Sequence, residues 1–146
     1  MRRWRSGGHG SPDVAEERAV DTNLIVRYVT RDDPVQERQA RALFLAYRIF
    51  VPTTVLLETE WVLRVAYRYP RDRIADVIMM LIENDGVRVE APDKAKRALA
   101  AFRDGLDLAD ALHLTACADV ETFVTFDKPL VTRAPRAFAT PRVIAP

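Results

Sequence analysis

Short apolar runs alternate with amphipathic stretches along most of this chain. Arg18-Ala19-Val20-Asp21 reads as the end of a first strand, and Asn23 to Thr30 as a short helix. Pro34, a residue suited to the first turn, opens a helix to about Tyr47. Ile49-Phe50-Val51-Pro52 is a second strand, followed by a helix from Thr53 to about Tyr69, with Thr53 or Thr54 as its cap and Pro70 as its stop. Asp72 to about Asn84 carries an apolar stripe of Ile74, Val77, Ile78 and Leu81 at helical spacing. Asp85-Gly86 turns the chain into Val87-Arg88-Val89, which alternates as a strand does. Pro92 to Asp104 is a helix stopped by Gly105, and Leu108 to Asp119 is a helix with almost no polar face. Strands at Thr122 to Phe126 and Arg142 to Ile144 complete the pattern.

Strands this short and apolar, separated by helices, predict an α/β domain whose mostly parallel sheet is covered on both faces. The length of 146 residues suits one domain. We assign residues 19–146 to it and residues 1–18, polar and Gly-containing, to an N-terminal tail. In open parallel sheets, ligands bind beyond the C-terminal ends of the strands. Asp21 and Asp127 each follow directly after a predicted strand.

Composition narrows the function less than the pattern does. The 22 basic and 21 acidic residues nearly cancel, so bulk charge does not announce a nucleic-acid binder. All but three of the basic residues are arginine, which suits bidentate phosphate contacts and also follows from a GC-rich genome. One cysteine, Cys117, excludes an internal disulfide and a multi-cysteine zinc site, and fits a reducing cytoplasm. No apolar run approaches the ~20 residues that span a bilayer.

Four carboxylates stand out: Asp21, Glu58, Asp110 and Asp127. Each lies inside or at the edge of an apolar segment, where an unpaired charge is costly, and a hard divalent cation is the simplest shared partner. Glu58 has Val55, Trp61, Val62 and Val65 at helical spacing around it, opposite a polar strip of Glu60, Arg64 and Arg68. The sequence therefore places Glu58 on the buried face, where an arginine partner is the alternative to a metal, and Glu60 on the wet face, paired with Arg64. Asp110 falls in the first turn of its helix, with Leu114 and Cys117 on its side. Asp107 suffices as that helix's cap. Asp21 can cap a helix, with Thr22 and Asn23 as further caps or as donors beside the carboxylates, and Asp127 can be a turn residue. Thr125, two residues before Asp127 on a strand, shares its side and can orient it.

Other chemistry finds little support. His113 and His9 are too far apart in role and place for paired acid–base cleavage, and there is no Cys–His pair or Gly-rich phosphate loop. Trp61 and Tyr67 read as core or interface residues.

The segments Val-Asp-Thr-Asn, Leu-Glu-x-x-Trp-Val-Leu-Arg, Leu-Ala-Asp-Ala-Leu-His-Leu and Thr-Phe-Asp, in this order, resemble the PIN domain. Within it, the chain resembles the VapC-type ribonuclease toxins of bacterial toxin–antitoxin modules. The resemblance covers nearly everything from Ala19 onward and departs in the length of chain ahead of Asp21. It implies a PIN-like α/β/α sandwich and puts Asp21, Glu58, Asp110 and Asp127 at the acidic positions that bind metal and catalyse, with Asp107 as an accessory beside them; Thr125 and Asn23 join as accessories from the residue pattern alone. It further implies Mg²⁺- or Mn²⁺-dependent hydrolysis of RNA, a small antitoxin partner and a homodimer. Two alternatives carry different chemistry. A non-catalytic PIN-like module would only bind RNA or protein. A phosphotransfer domain would use Asp21 as nucleophile and leave Glu58 without a role.

Overall fold

The computed structural model describes residues 16–146. Strands β1 (Glu17–Ala19), β2 (Arg48–Val51) and β3 (Val87–Val89) form a parallel sheet in the order β1-β2-β3. Strands β4 (Thr122–Val124) and β5 (Arg142–Ile144) form a second parallel pair. The expected parallel strands are thus present, with their hydrogen bonds divided between two sets. Most of the expected tail lies outside the described residues, and its last two residues, Glu17 and Arg18, belong to β1.

Among the described residues, seven helices follow the predicted order: α1 (Thr22–Thr30), α2 (Pro34–Ala46), α3 (Thr53–Val65), α4 (Arg71–Glu83), α5 (Pro92–Arg103), α6 (Leu108–Ala116) and α7 (Lys128–Arg133). The last of these is unforeseen. Asp127-Lys128-Pro129 reads as a turn in the sequence, yet an aspartate cap with proline in the first turn is also a helix start. A single 3₁₀ turn, Ala134–Arg136, continues it.

Two corrections concern α3. It ends at Val65, short of Tyr69, because Arg68 is left-handed (φ 54°) and Pro70 disfavours helix at the residue before it. Its first turn is capped by neither threonine. The Thr53 N–H instead donates to the Glu90 carboxylate at 2.8 Å.

The core gathers Ile49 and Val51 of β2 with Ile25, Leu56, Leu63, Ile74, Ile78, Leu81, Leu99, Phe102 and Leu114 of the helices. A single arginine ties the α5–α6 turn to this core. Arg71 Nη1 donates to the Phe102 and Leu106 carbonyls, each at 2.6 Å, and its guanidinium lies 4.4 Å from the centre of the Phe102 ring. Gly105 in that turn has φ +107°, a region closed to side chains, although a Cβ there would meet no atom within 4 Å. Gly105→Ala is therefore expected to cost about 1–3 kcal/mol of backbone strain. In urea titration the midpoint should fall with an unchanged slope.

Candidate active site

Three aspartates of the expected site set each start a helix. The Asp21 Oδ1 accepts from the Leu24 N–H of α1 at 3.1 Å. The Asp107 Oδ1 accepts from the α6 amides of Ala109 at 2.9 Å and Asp110 at 3.4 Å. The Asp127 Oδ1 accepts from the Leu130 N–H of α7 at 3.0 Å. Amides at a helix start lack an internal partner, and the positive end of the helix dipole favours an anion. Local rules thus suffice to put these three acids where they are. Each of these bonds uses Oδ1 and leaves Oδ2 available to a ligand, so a capping role does not consume the residue.

Glu58 reverses the expectation from the sequence. The buried line of α3 is Leu56, Thr59, Glu60 and Leu63, spaced as one helical face. Glu58 is exposed, and so are Trp61 (54%) and Val65. Trp61 and Val65 therefore mark a surface beside Glu58, while Val55 and Val62 are half-buried and Val55 packs on the core. Glu60 is the buried acid at 3% exposure. It does pair with Arg64, at 2.6 Å, but from a buried position, with the Arg64 side chain reaching it from the exposed surface. Tyr67 packs on the core and its hydroxyl donates to Asp32 at 2.7 Å. Together with Thr30 and Arg27, that bond holds the Asp32 carboxyl down at about 2.

Glu58 is nonetheless tied to the candidate site. The Thr22 Oγ1 donates to Glu58 Oε2 at 2.9 Å. Thr22 is buried and directly follows Asp21, so the Glu58 carboxylate docks at the start of α1. The expected role of Thr22 as a donor beside the acids is realised in this bond. Asn23 is exposed in the first turn of α1. Thr125 orients Asp127 through the backbone rather than the carboxylate: its Oγ1 accepts the Asp127 N–H at 3.0 Å.

Asp107, Asp110 and Asp127 form a second group. They line one cleft of about 190 Å³ together with Gly105, Leu106 and Arg133. Burial, then the negative charges of Asp107 and Asp127, raise the Asp110 carboxyl above its ordinary range, with exposed His113 opposing. Arg64, fixed by Glu60, also feels Asp107. Among the described residues, no three His, Cys, Asp or Glu side chains converge as a ready cation cage. The structure presents the acids as two groups, Asp21 with Glu58 and Asp110 with Asp107 and Asp127.

The donor set itself suits a hard cation. All four candidates offer only oxygen, the ligand that Mg²⁺ and Mn²⁺ prefer. Among the described residues, none of the four joins a salt bridge, whereas Glu17, Asp32, Glu37, Glu60 and Asp76 each hold an arginine.

No curated protein and no solved structure matches this chain. A family model does: that of the PIN domain matches residues 18–134, a span from β1 through α7 that holds all four carboxylates, and the chain belongs to the PIN domain family.

Proposed function

We propose that this chain is a metal-dependent endoribonuclease acting as the toxin of a VapC-type toxin–antitoxin pair. PIN domains are typically metal-dependent nucleases that bind RNA. The observation that carries the reading here is the set of four acids inside the span that the PIN domain model matches, three of them at or beside helix starts.

Asp21, Glu58, Asp110 and Asp127 would hold Mg²⁺ or Mn²⁺, which supplies Lewis acidity and an acidified water for attack on a phosphodiester. The chain's own work is to fix the acids. The amides of α1 and α7 hold Asp21 and Asp127 by one oxygen, Thr22 holds Glu58, and Thr125 sets the backbone of Asp127. Asp107 caps α6 and keeps a like charge beside Asp110, which makes a cation there more favourable. Asn23 offers an exposed amide to substrate. A small cognate antitoxin, a homodimer and a cytoplasmic setting accompany this reading. Exposed Trp61 and Val65 on α3 supply apolar surface for a protein contact. Among the described residues, no helix is long and apolar enough to cross a membrane.

The alternative is a non-catalytic PIN-like module that binds RNA or protein. On its side, capping alone accounts for Asp21, Asp107 and Asp127. One assay separates the two. Purified protein freed of any partner is incubated with RNA in Mg²⁺, Mn²⁺ or EDTA, beside Asp21→Asn. The toxin reading expects metal-dependent cleavage by the wild type alone; no products in any lane favour the binding module, and equal products in all lanes contradict the metal mechanism.

Thr22 gives a finer test. Thr22→Val keeps the side-chain shape and removes the bond to Glu58. Since Glu58 is exposed and water can replace the hydroxyl, stability should change by less than about 1 kcal/mol. Cleavage should fall roughly 10- to 100-fold, as for other groups that orient a ligating carboxylate. Steady-state kinetics and a thermal melt read both numbers.

A further inference from the structure

Among the described residues, the acidic cleft has one cationic side chain in its lining, Arg133. Arg64 and Arg71, which act on neighbouring parts of the fold, are committed. Arg64 is bound to buried Glu60. Arg71 donates its Nη1 hydrogens to the Phe102 and Leu106 carbonyls. Arg133, exposed in the last turn of α7, joins no salt bridge among the described residues, and neither does Arg136 in the following 3₁₀ turn.

Arg133 also lines a second cleft of about 430 Å³, with Asp104, Gly105, Leu106, Arg136 and Ala137. The Gly105–Leu106 backbone and Arg133 are common to both spaces. They therefore adjoin, and the way from one to the other passes Arg133. A nucleic-acid strand approaching a group of carboxylates is repelled unless cations lie along its path. Two arginines on one wall, opposed by the single carboxylate of Asp104, provide that path. The guanidinium fork matches the paired oxygens of a phosphate diester.

We propose that Arg133 and Arg136 are positioning residues that bind the RNA phosphates next to the scissile one, and that the strand enters the acidic cleft along the groove floored by Gly105 and Leu106. The direction of the strand relative to the acids is thereby set by α7 and the 3₁₀ turn. This inference rests on the nuclease reading for its purpose, but its evidence and its test concern binding.

The test measures binding of a labelled single-stranded RNA to the full chain in EDTA, across a salt series, with cleavage in Mn²⁺ assayed separately. Removing one phosphate-binding cation should lower the slope of log affinity against log salt by about 0.7, which is about fivefold in affinity at 0.1 M salt. Arg133→Ala and Arg136→Ala should each show that change, and the double variant about 25-fold. Arg133→Lys should restore the slope, because the charge returns. Arg38→Ala on α2 should leave it unchanged. In the cleavage assay the alanine variants should raise KM more than they lower kcat. Melting temperatures equal to wild type establish that the variants fold.

Wild-type slopes in both alanine variants, or a wild type that binds no RNA, would overturn the assignment. A wild type that binds RNA through these arginines yet never cleaves it would leave the groove standing and remove the nuclease reading.

Discussion

Asp110→Asn is expected to reduce metal-dependent RNA cleavage by about 10²–10³-fold and, in the same protein, to raise the melting temperature measured in EDTA near neutral pH. The two effects have one origin. Asp110 is half-buried and faces Asp107 and Asp127, so its charged form is disfavoured in the metal-free fold and its carboxyl is raised above the usual range. A carboxyl that is raised on folding contributes stability below its unfolded value of about 3.9, and that contribution is lost as pH rises through the folded value. Near neutral pH the ionised group is a burden on the metal-free protein. Asparagine has the same shape and no charge, so it removes that burden. It also removes a ligand, so Mn²⁺ should stabilise the variant less than the wild type. A melting curve at pH 4 and at pH 7, in EDTA and in Mn²⁺, reads all three effects. The variant's advantage should shrink as pH falls from 7 to 4, because a raised carboxyl takes up its proton earlier in that fall than an ordinary one and so loses its charge. A variant that melts lower than wild type in EDTA at pH 7 would show instead that Asp110 is held by favourable contacts.

The largest loss of stability should come from Phe102→Ala. The ring is fully buried in the core at the end of α5, with the Arg71 guanidinium against it. Truncation should cost about 3–5 kcal/mol, from the forfeited transfer energy and the cavity left behind. The cation–π interaction adds about 0.5–1 kcal/mol to the change. A fall in melting temperature on the order of 10 °C follows for a domain of this size. The consequence reaches the site, because Arg71 bonds the Phe102 and Leu106 carbonyls and so fixes the turn whose Gly105 and Leu106 line the acidic cleft. Phe102→Leu, which keeps most of the volume, should cost less than about 1.5 kcal/mol and retain cleavage. Similar losses for Ala and Leu would mean that ring shape beside Arg71, and not volume, is what the core requires.

The order of strands and helices was legible because the apolar period changes cleanly between them, and because Pro34, Pro70, Pro92 and Gly105 mark element ends. The α/β/α class expected from that alternation is the class of the PIN fold. The orientation of α3 was not legible. Both of its faces carry apolar side chains, and Glu60 with Arg64 looks like a surface pair by spacing alone. Packing decides instead for Leu56, Thr59, Glu60 and Leu63, which leaves Trp61 and Val65 to solvent and makes Glu58 an exposed acid. A costly buried charge is therefore not what sets Glu58 apart. Its distinction lies in the Thr22 hydroxyl that holds it and in the absence of an arginine partner among the described residues. Asp21 and Asp107 were legible as caps from their position before helical segments. The cap role of Asp127 was hidden because α7 is only six residues long and starts like a turn. Arg133 was beyond reach for a different reason: among so many arginines, only folding tells which one lines the cleft.

Anomalous diffraction from a crystal grown with Mn²⁺ tests most directly whether the two acidic groups act as one centre. A peak is expected about 2.1 Å from a carboxylate oxygen of Asp21 or Glu58 and equally close, directly or through a bound water, to Asp110 or Asp127. A crystal at saturating Mn²⁺ with no peak at these residues, or with a peak held by only one of the two groups, would contradict a shared metal centre.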